Sequence, residues 1–531
     1  MPRLAPVLLL ALAFGTAASA PRAQVADSFA TLPYLAEVDP DAALNRIAEL
    51  TSDPGPDPRP IYDLYRMAAG LLIEGGQVDQ AAQAIARLAD LAVSSRDYLG
   101  FDPLPVYAEA AALLNDTGQD RAARDSLLAM YAEQRSSGAA PQDLTRTADE
   151  IARLSEVLGV AAPALAAPLA AENFQTISVY YATDRGISGE IDAPLYYGDG
   201  RGAPDWGVAT VSRPVRQMPQ DYSKLRAVQP MAQADWTARL DAASGQGTLV
   251  YVPGAATRFE QAARRAALMA QALGGVERPV LFSWPASGST LDYMGDSAAA
   301  GASARILARM LAALAARPGA RPPHLLAGGM GAQVLTDALE LIAARGEAAG
   351  PDGAPPFGQL ILAVPDVDAD RFRGLLPVLR PLVQRITLYA SQTDAQMAVP
   401  RRLYGPALRA GWGGEATLVD PAADSIDLSM LEGDMLTAPA VLADMAMLLW
   451  RDAAPERRCG LRPEPGGAGD PPVWRPAEAI CSDPALLGVL ARLRQEDART
   501  HDRALELLRA MVPDPGRRAG LARVFLRPMA P

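Results

Sequence analysis

The sequence is short of positive charge and of the residues that usually act as catalytic bases. It has 49 basic residues against 61 acidic ones, and Lys224 is its only lysine, so the formal net charge is −12. Because phosphate binding needs a basic face, this balance argues against nucleic acid and against anionic membranes as partners. With only two histidines and two cysteines in 531 residues, few histidine bases and few thiols are available for nucleophilic catalysis.

Long apolar runs are also missing after the N-terminus, where no stretch reaches the about 18 residues of a membrane-spanning helix. Residues 1–20 have the pattern of a signal peptide. Arg3 precedes an apolar run over Leu4–Phe14, and small residues follow, with cleavage expected after Ala18. We therefore expect an exported protein, periplasmic or secreted, with no membrane span in the mature chain; an uncleaved anchor is the alternative.

Export would place the only two cysteines, Cys459 and Cys481, in an oxidising compartment where disulfides persist. The segment between them is rich in proline and glycine and has little apolar content. We expect the two cysteines to form one disulfide within the chain. Free buried thiols and a bridge between two chains are the alternatives.

The length predicts about two to four domains. Residues 27–160 have helical periodicity, and a motif that begins at Tyr65 and ends in Gly76-Gln77 recurs from Tyr107 to Gly118-Gln119. This helix–glycine turn–helix unit resembles tetratricopeptide-type repeats. The resemblance implies a groove for a protein partner; a helical cap packed on the next domain is the alternative.

Residues 172–455 change to apolar, β-branched runs that alternate with helical patterns. This alternation predicts an α/β fold with a mostly parallel sheet and helices on both faces. Sites in such sheets lie at the carboxyl ends of the strands. The predicted strands cover residues 177–181, 207–211, 248–252, 279–284, 324–327, 359–364 and 386–390.

Several of these strands end in motifs whose order and spacing are specific. The motifs are YATDR at 181–185, VYVPG at 250–254, FSWP at 282–285, HLLAGGMG at 324–331, VPDVDAD at 364–370 and LYAS at 388–391. Together they resemble a family of bacterial esterase/lipase-like α/β-hydrolases of unknown function. The resemblance spans about residues 178–450 and implies an α/β-hydrolase fold with a serine nucleophile on a tight strand-to-helix turn.

The chain departs from that family at the nucleophile and at the oxyanion loop. Where the family has His-Ser-Met-Gly, this chain has Gly328-Gly329-Met330-Gly331, so Gly329 supplies no nucleophile. Where the family has His-Gly after the VYV strand, this chain has Pro253-Gly254. Proline has no N–H, so a backbone donor would be lost there as well.

The catalytic base is missing too. The family's histidine is expected near residues 432–434, where none is present. His324 precedes the turn and is expected to be a structural histidine, and His501 lies outside the hydrolase region. The family's acid would map to Asp394, which has no histidine to orient. We therefore expect no intact catalytic residues, with Gly329, Asp394 and Pro253 as vestigial positions.

A relocated site has two candidates. Hydroxyl groups follow the strand at Trp284, and a group of acidic residues after another strand resembles a cation site, although capping of the next helix is the preferred interpretation. The residues with hydroxyl side chains are Ser287, Ser289 and Thr290, and the acidic residues are Asp366, Asp368 and Asp370. No histidine base accompanies the hydroxyls, and we expect neither a metal ion nor a cofactor.

Residues 456–531 form the last predicted domain, a small helical module with the cysteine pair. Its residues Glu478, Ile480, Cys481, Pro484 and Leu486 match a pattern of lysozyme-inhibitor-type proteins, which this segment resembles. The resemblance implies an interaction with the cell wall or with a lysozyme. A disulfide-stapled helical tail without that role is the alternative.

These observations predict an exported protein that is not an enzyme. It would serve as a binding or interaction module, with a protein partner on the helical repeats and a small ligand in the vestigial cleft. Two alternatives stay open: an active serine-type esterase with an unrecognised site, and a lysozyme-inhibitor-like interaction protein associated with the cell wall.

Overall fold

The computed structural model describes most of the chain in two compact units. The first comprises residues 1–177, 211–226 and 289–293, and the second comprises residues 178–210, 227–288 and 294–531. The signal-peptide segment 1–20 lies outside the described residues. The described residues are 26–51, 58–94, 102–170, 173–188, 196–215, 222–242, 247–273, 277–346, 353–397, 400, 408–431, 434–464, 470–477, 483–494 and 498–525.

The first unit confirms the predicted helical region. Helices that are neighbours in the chain pack against each other along faces rich in alanine and leucine. The helices α1 to α7 span Ala26–Val38, Pro40–Thr51, Arg59–Glu74, Val78–Ser94, Pro103–Asp116, Asp120–Ser137 and Pro141–Val157.

Two turns of this region share one geometry. Gly76 after α3 and Gly118 after α5 both have a left-handed backbone, with φ of 74° and 73°. In each turn the following glutamine, Gln77 or Gln119, donates its N–H to a leucine carbonyl of the preceding helix at 2.8 Å. Glycine adopts this conformation without strain, which explains why the motif ends in Gly-Gln. The tetratricopeptide-type resemblance itself stays a prediction.

The only lysine of the chain has a structural position within the first unit. The buried Lys224 ammonium pairs with Asp102 and lies 3.2 Å from the Glu133 carboxylate. Asp102 also caps α5, because its carboxylate accepts the Leu104 N–H at 3.0 Å. The two carboxylates compensate the charge of the buried ammonium. This lysine therefore links the start of α5 to α6.

The sheet confirms the predicted α/β class. It has eleven strands in the described residues, in the order β10-β11-β9-β8-β7-β6-β4-β5-β1-β2-β3. From β1 through β5, β4, β6, β7, β8 and β9 to β11, each adjacent pair is parallel, whereas β10 and β11 are antiparallel. The strands β1 to β11 span Phe174–Ile187, Tyr197–Pro214, Lys224–Met231, Gly247–Val252, Glu277–Ser283, His324–Gly328, Phe357–Ala363, Val383–Ala390, Asp424–Asp427, Leu461–Glu464 and Val473–Pro476.

The inner strands are short and buried along their whole length, as expected of a parallel sheet covered on both faces. Helices connect these strands. The helices that follow β3 in the chain are numbered α8 to α16. They span Gln233–Ala242, Phe259–Ala272, Tyr293–Ala315, Gly331–Arg345, Ala369–Leu379, Pro439–Arg451, Pro484–Arg492, Ala498–Met511 and Pro515–Phe525.

One helix of the described residues, Thr290–Ala315, is long and apolar enough to cross a membrane by length and composition. This is weak evidence, since helices in protein cores pass the same test and 44% of its most apolar window is buried in the fold.

The C-terminal segment differs from the predicted helical tail. It contributes β10 and β11 to the main sheet, and the second compact unit runs on to its end. Arg458 joins the segment to the sheet, because its guanidinium lies 3.3 Å from Asp444 and 2.7 Å from Asp424. Sequence periodicity missed these strands because each is four residues long and contains a proline, Pro463 in β10 and Pro476 in β11. Of the lysozyme-inhibitor-type pattern, Glu478, Ile480 and Cys481 lie outside the described residues.

Arg185, at the end of β1, connects the loops that surround the carboxyl edge of the sheet. Its guanidinium is buried and donates to the Ser283 hydroxyl at 2.9 Å and to three carbonyl oxygens. These belong to Gly198 at 3.1 Å, Ala286 at 2.9 Å and Thr257 at 2.6 Å. Only the planar guanidinium fork reaches so many acceptors in different directions, so one side chain fixes the loops after β4 and β5.

The charge of Arg185 is compensated nearby. Burial lowers its pKa to about 10, while Asp199, Asp296 and Asp184 act in the opposite direction. The group therefore stays charged at neutral pH. Asp296 in turn accepts the Ala256 N–H at 2.8 Å and the Ser287 N–H at 2.7 Å, which fixes the same two loops from the other side.

Replacing Arg185 with methionine should lower the free energy of unfolding of the second unit by about 3–5 kcal/mol, because buried acceptors and a carboxylate lose their partner. Tryptophan fluorescence during urea unfolding measures this unit alone, since all six tryptophans belong to it. Arg201→Met is the comparison variant: Arg201 pairs with the buried Asp184 at 3.4 Å but is itself 41% exposed, and Asp184 keeps the Ser303 hydroxyl as a donor, so its loss should cost only about 1–2 kcal/mol. Equal effects of the two variants would contradict the role of Arg185.

The disulfide between Cys459 and Cys481 stays a prediction, because Cys481 lies outside the described residues. The hairpin favours it, since the Gly460 carbonyl accepts the Ala477 N–H at 2.8 Å and only three residues separate Ala477 from Cys481 in the sequence. Mass spectrometry of the exported, non-reduced protein should show a linked Cys459–Cys481 peptide, and the bridge should stabilise the fold by about 3 kcal/mol. A reduced and alkylated sample is the control, and two alkylatable thiols in the native protein would exclude the bridge.

Candidate functional site

The tight turn between β6 and α11 lies at the carboxyl edge of the sheet. Its central residue, Gly329, has a left-handed backbone with φ of 47°. Its N–H donates to the Ala363 carbonyl at 3.0 Å, and its own carbonyl accepts the Asp366 N–H at 3.0 Å. This is the strand–turn–helix arrangement that holds the nucleophile in α/β-hydrolases. Here the turn keeps that backbone, and glycine occupies its centre without the strain that other residues would meet.

Another residue occupies the space that a side chain at position 329 would fill. A Cβ atom on Gly329 would overlap the carboxamide oxygen Oε1 of Gln396, and it would lie 3.7 Å from the Gly254 Cα atom. A Cβ atom on Gly254 would lie 2.6 Å from the same Oε1, and one on Gly328 would lie 3.9 Å from it. We call Gly254, Gly328 and Gly329 the glycine cradle. The Gln396 carboxamide can lie in the cradle because none of the three has a side chain.

Gln396 itself belongs to a short helical turn, Ala395–Met397, and is half-buried. Its backbone N–H donates to Asp394 Oδ1 at 2.8 Å. Its carboxamide has no hydrogen-bond partner among the described residues. Packing against the cradle is therefore the contact that holds the side chain in place.

The other positions predicted to be vestigial, Asp394 and Pro253, lie at the same edge. The Asp394 N–H donates to the Ser391 hydroxyl at 3.1 Å, and the Asp394 carboxylate accepts the backbone of Gln396. Pro253 follows β4, and its carbonyl accepts the indole N–H of the buried Trp284 at 2.7 Å. A Cβ atom on Gly331 would overlap the Pro253 carbonyl. The structure thus brings Pro253, Asp394 and Gly329 to one turn, and Gln396 lies among them.

Neither histidine is at this turn. His324 begins β6, at the opposite end of the strand from Gly329, and its Nδ1 accepts the Gln359 N–H at 2.9 Å. Burial lowers the pKa of His324 to about 4, so the ring is neutral at pH 7 and acts as a structural acceptor, as expected. His501 lies in α15, where its Nδ1 is 3.2 Å from the Leu493 carbonyl.

The segment where the family's histidine is expected has an ion pair instead. Glu432 and Gly433 lie outside the described residues, whereas Asp434 is described and pairs with Arg265 of α9. The Asp434 carboxylate also caps the following turn by accepting the Leu436 N–H at 3.0 Å. Tyr251 lies near this pair, and burial raises the pKa of its hydroxyl to about 12, so it stays protonated.

The alternative sites are engaged in structural contacts. Within the first unit, the Ser289 hydroxyl accepts the Leu291 N–H at 3.2 Å, and the Thr290 hydroxyl donates to Asp63 at 2.7 Å. In the second unit, the Ser287 N–H donates to Asp296. These contacts explain the positions of the three residues through local structure.

The acidic residues after β7 also have structural contacts. Asp366 forms a buried ion pair with Arg409 at 2.8 Å. Asp368 caps α12 by accepting the N–H groups of Asp370 and Arg371, as preferred from the sequence. Asp370 is exposed and pairs with Arg373 at 2.9 Å. In the part of the chain that the structure describes, no group of three or more acidic, histidine or cysteine side chains could hold a metal ion.

Two loops beside the turn contain strained backbone. β6 lies between β4 and β7 in the sheet, and Ala256 after β4 and Val364 after β7 have positive φ of 52° and 46°. A β-branched residue such as Val364 is a true outlier there. Hydrogen bonds hold both: Ala256 donates to Asp296, and Val364 donates to the Tyr389 carbonyl at 2.8 Å. Such strain persists only where the surroundings over-determine the backbone, and it is often found at functional sites.

Sequence reasoning missed Gln396. The one available signal was its position two residues after Asp394, the vestigial acid. No periodicity or spacing indicates that a side chain of the loop after β8 reaches the turn after β6, because that contact depends on how the two strand ends lie in the sheet.

The comparisons with known proteins agree with this architecture. Residues 229–428, less than half of the chain, match a family described as alpha/beta hydrolase of unknown function (DUF900). No curated protein and no solved structure matches the chain. The matched region runs from β3 to just after β9 and contains the tight turn at Gly329 and the loop of Gln396. Residues 229–428 are therefore an α/β-hydrolase domain of unknown function.

Proposed function

We propose that this protein is an exported, non-catalytic α/β-hydrolase-fold protein that acts as a binding or interaction module. The observation that carries the proposal is the contact between Gly329 and Gln396. The nucleophile position has no side chain, and the space above it holds an amide oxygen, which is not a nucleophile.

The surroundings of the turn support the same proposal. Acyl transfer by a serine needs a base within hydrogen-bond reach of the hydroxyl and a third group that orients the base. Asp394 has the position of the third group, but it binds the backbone of Gln396. His324 is at the other end of β6, and Asp434 pairs with Arg265 where the base is expected.

The compartment and the partner rest on the sequence. The signal-peptide pattern of residues 1–20 supports a periplasmic or secreted location. The repeated helix–turn–helix motif supports a protein partner on the first unit, since stacked helical units offer extended surfaces for binding. The charge of −12 supports a partner other than nucleic acid or an anionic membrane.

The purified protein should hydrolyse p-nitrophenyl acetate no faster than a buffer blank, because nucleophile and base are both absent. Gly329→Ser alone should leave the rate unchanged, since the new hydroxyl has no base to activate it. Gly329→Ala is the matched control for the change in packing. Saturable hydrolysis that follows the wild-type protein through successive purification steps would refute the proposal.

A double-mutant cycle tests the contact itself. Gly329→Ala should destabilise the second unit by about 1–2 kcal/mol from the left-handed backbone and by about 1–3 kcal/mol from overlap with Gln396. In the Gln396→Ala background the overlap is gone and only the backbone cost should remain. The double variant should therefore be more stable than the sum of the two single effects predicts.

Gly346→Ala is the matched control for that cycle. Gly346 ends α11 with a φ of 62°, and a Cβ atom there would meet nothing within 4 Å. It should therefore show the backbone cost without coupling to Gln396→Ala. Tryptophan fluorescence during urea unfolding measures all variants. Additive effects of Gly329→Ala and Gln396→Ala would show that Gln396 does not occupy the cradle.

A further inference from the structure

We propose that one face of helix α6 is a binding surface for an extended, alanine- and proline-rich peptide segment of a partner protein, and that a segment of this chain occupies the surface when no partner is bound. The internal segment is residues 161–170, with the sequence AAPALAAPLA, and we call it the strap. The inference rests on the proposed function, which includes a protein partner for the first unit. It adds the surface, the chemistry of the partner and the internal competitor.

The strap is neither helix nor strand. It follows α7 and precedes β1, and nine of its ten residues are exposed, with Leu165 half-buried. Two prolines, Pro163 and Pro168, favour extended backbone at and before their own positions. Among the described residues, the backbone of residues 161–169 makes no hydrogen bond with another backbone group. Its carbonyl groups are therefore open to side chains.

Two side chains of α6 bind the middle of the strap. The Tyr131 hydroxyl donates to the Ala166 carbonyl at 2.9 Å, and Arg135 Nε donates to the Ala167 carbonyl at 2.6 Å. Leu165 packs against the apolar core of the helical region, to which the buried Tyr131 belongs. Three consecutive residues of the strap thus supply one apolar side chain and two carbonyl acceptors.

These contacts recognise a peptide backbone and one leucine. Both hydrogen bonds end on main-chain carbonyls, which every peptide segment has, and Tyr131 and Arg135 lie one helical turn apart on the same face of α6. Proline-rich segments bind well to such surfaces because their backbone is extended in advance, so little conformational entropy is lost on binding. A partner segment with a leucine among alanines and prolines would make the same contacts as the strap.

The strap leaves one polar group of this face without a partner. Gln134 lies three residues after Tyr131 and therefore shares its face of α6. Gln134 is 5% exposed, and its carboxamide oxygen has no hydrogen-bond partner among the described residues. A buried acceptor without a donor destabilises the state that contains it. A partner segment that brings a donor to Gln134 would therefore bind better than the strap does.

The experiment follows the fluorescence anisotropy of a labelled AAPALAAPLA peptide during titration with the full-length protein. The wild type should bind the peptide weakly, because the tethered strap competes at an effective concentration of about 1 mM. Leu165→Ala removes the apolar contact of the strap and leaves the surface on α6 unchanged. It should bind the peptide about tenfold more tightly than the wild type does, since a half-buried leucine contributes affinity of that order.

Control variants separate the strap from the surface. Leu169→Ala makes the same change at an exposed leucine of the strap and should bind the peptide as the wild type does. Tyr131→Phe in the Leu165→Ala background removes only the hydroxyl donor and should weaken peptide binding about fivefold. Unchanged far-UV circular dichroism will show that the helical region is folded in each variant.

A second change of the strap leaves Leu165 in place. Pro163→Gly/Pro168→Gly makes the strap more flexible, so more entropy is lost when it binds. This variant should also bind the peptide more tightly than the wild type does. A peptide with alanine in place of the leucine at its fifth position should bind Leu165→Ala about tenfold more weakly than AAPALAAPLA does.

Equal peptide affinity of Leu165→Ala and wild type would overturn the proposal, as would tight binding that survives Tyr131→Phe or that Leu169→Ala reproduces. Light scattering tests a second copy of this chain as the occupant: a wild-type dimer that Leu165→Ala dissociates would overturn the assignment to a partner protein. Ester hydrolysis on the same samples tests the proposed function separately. Turnover would reject the non-catalytic function, whereas absent turnover without peptide binding rejects only this inference.

Discussion

The buried guanidinium of Arg185 is the interaction on which the carboxyl edge of the sheet depends. It binds carbonyl oxygens of Gly198, Thr257 and Ala286, and each of these lies in a different loop or strand. A neutral side chain could not satisfy these acceptors, and a lysine could not reach them all. The backbone conformations at the edge, including the strained Ala256, are therefore consequences of one buried charge and of Asp296, which helps to compensate it.

The turn at Gly329 shows how packing adapts where the centre of a tight turn has no side chain. The backbone remains left-handed and keeps its hydrogen bonds on both sides. The space of the missing side chain is filled from the loop after β8 by Gln396. Filling the space retains van der Waals contacts that an empty cavity would lose. The desolvation cost of the amide is small because the Gln396 side chain is only half-buried, so water can still solvate its exposed side.

Most of the sheet could be predicted from the sequence, and the reasons are local. The inner strands are continuous apolar runs because both of their faces are buried. The location of Gly329, Pro253 and Asp394 at the carboxyl edge of the sheet could be predicted because these residues follow strand ends. Four strands could not. The strands β3, β10 and β11 lie at or near the edges of the sheet and have exposed or proline-containing patterns that lack that signal, and β9 is only four residues long. The pairing of β11 with β9 could not be predicted either, because it is a contact between distant segments of the chain.

The sequence by itself determined that this chain has no serine at the centre of its turn and no histidine near Asp394, because residue identity alone decides which chemical groups exist. It also determined the parallel α/β architecture through periodicity. Only the tertiary structure decided that the space at the centre of this turn is filled, and by which residue. Gln396 reaches Gly329 because β8 and β6 both lie beside β7 and end at the same edge, and such a meeting of strand ends is a property of the folded sheet, which no local pattern along the chain contains.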